Sequence, residues 1–194
     1  MTSRAAGVIL ILFGLISAGA DLSAAQNVVL DAPLQYEILL KVLTFDRNLE
    51  ARLGRELIIG IVFQKGNRDS SLMQQDILKA AIDSRISPLA GRPVRVVLID
   101  LDRSADLDQN LGGDKVDVLY IAPLRAVSLD GIIAWSRDRK ILTVTGMVDY
   151  VEKGIAVGID LNDDSPEILI NLAAAKASGA DFGSNLLKLS RIIF

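Results

Sequence analysis

PVRVVLIDLDRSADLDQNLGGDKVDVLYIAP, residues 93–123, decides the architecture of this chain. The opening PVRVVLIDL is apolar and β-branched at most positions, which reads as a strand. SADLDQNL reads as a short helix capped by Ser104, and VDVLYIA as another strand that stops before Pro123. Two strands joined by a helix pair in parallel, because the crossover returns the chain to the same end of the sheet. The unit therefore predicts a layered α/β fold.

Upstream, ELIIGIVFQ (residues 56–64) is apolar at nearly every position, which suggests a strand covered on both faces. After the polar turn KGNRDS, Ser71 and Gln74 have the spacing of a capping box. They open a helix with Met73, Ile77, Leu78, Ala81 and Ile82 as its apolar positions, and Pro88 and Gly91 end the segment. Earlier still, Leu34, Ile38, Val42, Phe45 and Leu49 fall at helical spacing. They predict one helix over 34–53, with Asp31 as N-cap and Gly54 as stop.

Downstream, SLDGIIAWSRDR reads as a helix, ILTVTG as a fourth strand and MVDYVEKG as a short helix. IAVGIDL and EILINL follow, separated only by NDDSP. That link is too short for a crossover, so an antiparallel hairpin is expected. Asn171 is placed to cap a helix over LAAAKAS, with Gly179 closing it. A last helix is expected from near Ser184, with Leu186, Leu189 and Ile193 on one stripe and Lys188 and Arg191 on another face. Together these readings predict a single three-layer α/β/α domain. Its mixed, mostly parallel sheet has about six strands and an antiparallel hairpin near the C-terminus.

The N-terminus carries Arg4, an uncharged apolar run and then Ser23, Ala24 and Ala25. This is the pattern of a secretory signal peptide over residues 1–25, cleaved after Ala25, with the domain occupying 26–194. The run is shorter than the ~20 apolar residues of a membrane-spanning helix. An exported chain with Cys 0 rests on its core alone, and 51% hydrophobic content is compatible with that.

Composition also excludes chemistries. His 0 and Cys 0 remove Ser-His-Asp and Cys-His nucleophile systems and nearly all zinc sites. Neither common phosphate-cradling glycine motif is present. DLDRSADLDQNL fails as a calcium loop, with Ala105 in place of glycine and Leu111 in place of the bidentate glutamate. A net charge of −3 argues against a nucleic-acid partner. No catalytic acid-base pair, metal or cofactor is expected.

Two candidate surfaces remain. Ligands of parallel sheets lie outside the carboxyl ends of the strands, where Lys65, Asn67, Arg68, Arg103 and Arg125 could converge on a small anion or stay as solvated loop groups. Asp46 and Arg47 are expected on the exposed side of the first helix, with Phe45 facing in. The tail helix either completes the core or leaves Ile192, Ile193 and Phe194 as a contact surface. Trp135 and Tyr120 read as packing residues.

The tail motifs INLAAAKASG and LLKLSRII resemble the C-terminal signature of the YfiR/HmsC-like family of periplasmic proteins. LAGRPVRVVLID, VDVLYIAP and ILTVTGMVDYVEKGIAVGIDL resemble further segments of that family in the same order. Family members often carry an aromatic-Trp-Pro element where this chain has TFDRNL, and some carry cysteine pairs that are missing here. The resemblance implies a non-enzymatic periplasmic regulator, the expected partner being the periplasmic part of an inner-membrane diguanylate cyclase or sensor kinase. It further implies a homodimer and control of cyclic-di-GMP and biofilm formation. A one-lobed periplasmic small-ligand-binding protein is the competing reading of the residues.

Overall fold

The structure, a computed structural model, describes residues 30–86, 88–163 and 165–194. The expected signal peptide lies outside these residues. The chain runs α1 (Ala32–Leu43), α2 (Leu49–Arg52), β1 (Leu57–Phe63), α3 (Arg68–Asp83), β2 (Val94–Asp100), α4 (Leu107–Leu111) and β3 (Val118–Ile121). It continues with α5 (Leu129–Asp138), β4 (Leu142–Thr145), α6 (Val148–Glu152), β5 (Val157–Asn162), β6 (Ser165–Asn171), α7 (Leu172–Ala177), α8 (Ser184–Lys188) and β7 (Ser190–Ile193). The strands form one sheet in the order β2-β1-β3-β4-β5-β6-β7. Every pairing is parallel except β5 with β6.

The sheet is covered on both faces, and β1 shows why. All seven of its residues are buried. Ile59 and Ile61 join a cluster with Leu39, Leu40 and Leu43 of α1 and Ile77 of α3. Ile58 and Val62 join the opposite cluster, with Leu107 of α4 and Ile132 and Ile133 of α5. Because side chains alternate along a strand, an unbroken apolar run needs a layer on each side. Three layers follow from that requirement.

Local signals account for several elements. The Asn171 side chain accepts from the Ala174 amide at 2.9 Å, capping α7, and Gly179 takes φ +80 just beyond that helix. The β5–β6 register pairs Asn162 with Ser165, a two-residue hairpin in which Asp163 adopts φ +47, a conformation that aspartate tolerates.

Four expectations change. The first helix does not reach residue 53: it ends at Leu43, and a turn separates it from α2 because Asp46 swings inward to a buried position. α3 begins at Arg68 with Asn67 as its cap, accepting from the Asp69 amide at 3.2 Å, so Ser71 is already inside the helix. The cap of α4 is Asp106, accepting from the amides of Asp108 and Gln109, while Ser104 accepts from the Asp106 amide one step earlier. The tail helix stops at Lys188, and Ser190–Ile193 becomes a seventh strand, parallel to β6. The free edge of β6 offers unpaired amides and carbonyls, and adjacent β-branched Ile192 and Ile193 suit a strand better than a helix end.

One buried polar link ties α1 to the sheet. The Tyr120 hydroxyl, wholly buried in β3, donates to Gln35 Oε1 at 2.6 Å, and Gln35 Nε2 donates to the Leu30 carbonyl at 2.8 Å. Burial pushes the Tyr120 hydroxyl well above its ordinary pKa, so it remains a donor at any physiological pH. Tyr120→Phe would leave Gln35 Oε1 buried without its donor, at a cost of about 1–3 kcal/mol. Urea denaturation measures this, and a loss below about 0.5 kcal/mol would contradict it.

Candidate functional site

The carboxyl ends of the parallel strands gather the loops after β1, β2, β3 and β4. Asn67 and Arg125, two of the five expected anion-binding residues, line a cavity of about 300 Å³ there, with Leu129, Met147, Tyr150 and Lys153. Lys65, Arg68 and Arg103 are exposed and are not part of its lining. The loops hold one another through groups that an anion would otherwise use. The Lys65 amide donates to Asp100 Oδ1 at 3.2 Å, and the Gly66 amide donates to Asp102 Oδ2. Gln64 donates to Asp102 Oδ1 and accepts from the Arg125 amide at 2.6 Å. Asn67 Nδ2 donates to the Pro123 carbonyl at 3.4 Å, and the Arg125 guanidinium lies 3.5 Å from Asp69. Lys153 is paired with Asp149 at 3.1 Å and sits over the Tyr150 ring.

An anion binding at the amides of residues 65 and 66 would have to displace the chain's own aspartates. Among the described residues no cluster of carboxylates has metal-binding geometry.

The second candidate surface is more coherent. Asp46 and Arg47, expected on an exposed helix face, belong to the turn after α1, and Asp46 is only 5% exposed. Its Oδ1 accepts from the amides of Asn48 and Asp181 at 3.0 and 2.9 Å, and its Oδ2 pairs with the Arg52 guanidinium. The Arg47 amide donates to the Asp181 carbonyl, and the Gly183 amide donates to the Phe45 carbonyl. Arg47 and Asp181 also form an exposed ion pair at 3.4 Å. This stitching fixes the segment that leads into α8 and β7. The structure therefore joins Asp46 and Arg47 to Asp181 at the start of the tail, whereas Ile192 and Ile193 lie beyond α8, in a strand paired with β6.

At the end of this path β7 forms an outer edge of the sheet. Ile192 and Ile193 are half-buried against it, whereas Phe194 is fully exposed and Leu189, at the turn from α8 into β7, is 75% exposed. The result is a short free strand edge flanked by two bare apolar side chains. Such an edge can accept a strand from another chain, with the apolar side chains adding contact area. Helical spacing places Leu189 on the stripe of Leu186 and Ile193, and the break at Lys188 turns it outward. The signal in the sequence was the pair of β-branched residues in SRII.

The Asp46 carboxylate carries a specific expectation. Asp46→Ala removes the counter-charge of the Arg52 guanidinium, 18% exposed and left with the carbonyls of Lys140 and Ser178, and it removes the acceptor of two amides. Breaking a buried pair on one side costs about 3–5 kcal/mol. Thermal unfolding checks this, and an unchanged midpoint would show that the stitch contributes nothing.

A family model described as YfiR/HmsC-like matches residues 64–191. No curated protein matches the sequence. Several solved structures share the fold. An ABC domain in complex with L-Trp from Streptococcus pneumonia aligns with TM-score 0.58 and 13% identity, over 84% of this chain and 60% of that one. A conserved domain protein from Vibrio cholerae gives the same values. A substrate-binding protein with adhesive properties from Clostridium difficile, in its ligand-free, open form, aligns with TM-score 0.54 and 18% identity, over 75% of this chain and 57% of that one. The chain thus spans less than two thirds of the length of these structures, and at such identities the likeness concerns the fold.

Proposed function

The chain belongs to the YfiR/HmsC-like family, and from that premise we propose that it is an exported, non-enzymatic regulator acting by contact in the periplasm. Its target is the periplasmic sensor part of an inner-membrane signalling protein, a diguanylate cyclase in the first instance, which it holds inactive as a homodimer. Cyclic-di-GMP output and biofilm formation would then follow the occupancy of that contact.

The observation that carries this reading is the free β7 edge with Leu189 and Phe194 exposed beside it. Apolar side chains of this size held in water on a rigid edge favour a protein partner. Among the described residues no helix is long and apolar enough to cross a membrane. The competing reading, a one-lobed small-ligand-binding protein, draws on the fold shared with a substrate-binding protein. Against it stands the strand-end crown, where the chain's own carboxylates already occupy the amides of residues 65 and 66.

A pull-down from inner membranes, with residues 26–194 as bait, tests the proposal. Wild type should retain a diguanylate cyclase or sensor kinase. Leu189→Asp and Phe194→Asp, both at exposed positions that leave the core intact, should each lower its recovery about tenfold or more, which corresponds to about 1.4 kcal/mol of contact energy. Equal recovery with both variants would remove the tail edge from the contact. Retention of a transporter component alone would favour the ligand-binding reading.

A further inference from the structure

The sheet has a second outer strand, β2, at the opposite side from β7. It runs seven residues, VRVVLID, against four in β7. Proteins usually blunt a free edge with a short strand, a lysine or a proline, and β2 has none of these within its length. Its one cation, Arg95, is held by Glu56 and Asp114. The Pro93 carbonyl accepts from the Leu57 amide and the Leu101 amide donates to the Phe63 carbonyl, so the odd-numbered residues of β2 bond β1. Alternation then directs the amides and carbonyls of Val94, Val96, Leu98 and Asp100 away from the sheet.

Side chains widen this edge into an apolar surface. Val94 and Val96 are partly buried on the face covered by α1 and α3, and Leu98, on the same face by alternation, is 44% exposed. In α3, Asp76, Lys79 and Asp83 border a cavity shared with α1, so Leu78 and Ile82 occupy the opposite flank. Because α1 packs on β5, that flank lies on the β2 side, and Ile82 is 74% exposed there. The ends of the strand differ in charge. Arg92 precedes it, Asp100 closes it and Asp102 follows, and none of the three is in an ion pair among the described residues.

We infer that β2 is the surface through which two copies of this chain pair, antiparallel across a two-fold axis at Val97, so that their sheets join into one. The inference deepens the homodimer of the proposed function and rests on it. In this register Val96 of each copy lies opposite Leu98 of the other and Val94 opposite Asp100, which provides about eight interchain backbone hydrogen bonds. Arg92 of each copy falls opposite Asp102 and diagonal to Asp100 of the other, so both ends of the ladder set a cation against acids. The Leu78 and Ile82 flanks of the two α3 helices come side by side over the join. Pairing of β2 with β7 of another copy would leave a free edge at every step and build a fibre, whereas the two-fold pairing closes. It also leaves β7, with Leu189 and Phe194, free at both outer ends for the target.

Sedimentation equilibrium of residues 26–194 measures the pairing. Wild type should dimerise with a Kd of about 10 µM or tighter, and Leu98→Lys, at an exposed position, should raise that Kd about tenfold or more. The chain has no cysteine, so Val97→Cys introduces a single thiol on the axis. Residues facing each other in a non-hydrogen-bonded pair have Cα atoms about 4.5 Å apart, a distance that a disulfide spans. Mild oxidation with copper-phenanthroline should therefore convert Val97→Cys to a covalent dimer and leave Leu189→Cys, on the far edge, uncoupled. A dimer that withstands Leu98→Lys, or that yields no Val97→Cys cross-link, would overturn the pairing while the homodimer stands. A wild-type chain that stays monomeric at about 100 µM would overturn the homodimer and the pairing with it.

Discussion

A strand that is apolar at every position has to be covered on both faces, and β1 places that demand at the heart of the sheet. Burying Ile59 and Ile61 against α1 and α3 while Ile58 and Val62 meet α4 and α5 commits the chain to three layers. Each buried aliphatic side chain contributes about 1.5–3 kcal/mol. The parallel ladder through β2, β1, β3, β4 and β5 follows, because helices that cover both faces have to serve as crossovers. Crossovers in turn gather their loops at the two ends of the strands.

Those ends are chemically unlike. At the carboxyl ends, loop amides meet loop carboxylates and a loop amide oxygen, so the amides of residues 65, 66 and 125 are already engaged within the chain. At the amino ends of β3 and β4, Asp108 pairs with Arg139 and Asp117 accepts from the Ile58 amide, whereas the buried Trp135 Nε1 and Arg52 Nε have no partner among the described residues. Counting charged residues in a loop does not separate these situations. What matters is whether each donor has found its acceptor within the fold.

The tail depends on a different interaction. Asp46 sits at the break between α1 and α2, and its carboxylate gathers the Arg52 guanidinium and the amides of Asn48 and Asp181. Burying that charge is tolerable because every side of it is met by a donor. The exchange of backbone bonds around Phe45, Arg47, Asp181 and Gly183 then aims the chain at the outer edge of β6. β7 takes that edge, Arg191 pairing with Glu167 at 3.0 Å, and so becomes a new edge itself.

The residues by themselves determined the layered α/β class, the double burial of β1, the β5–β6 hairpin and the cap and stop of α7 at Asn171 and Gly179. Each of these rests on neighbours in sequence: an apolar run, a two-residue turn, a side chain reaching an amide three positions on. Only the tertiary structure decided that residues 190–193 form a strand, because the helical stripe of Leu186, Leu189 and Ile193 competes with hydrogen bonds that exist only once β6 offers a free edge. Only it turned Asp46 inward, since the Asp181 amide that it receives is 135 positions away. The same holds for the crown, where Asp102 reaches the Gly66 amide across 36 positions. Periodicity states which side chains favour burial, whereas the partner of a charge or an amide is set by whichever distant segment the packed layers bring beside it.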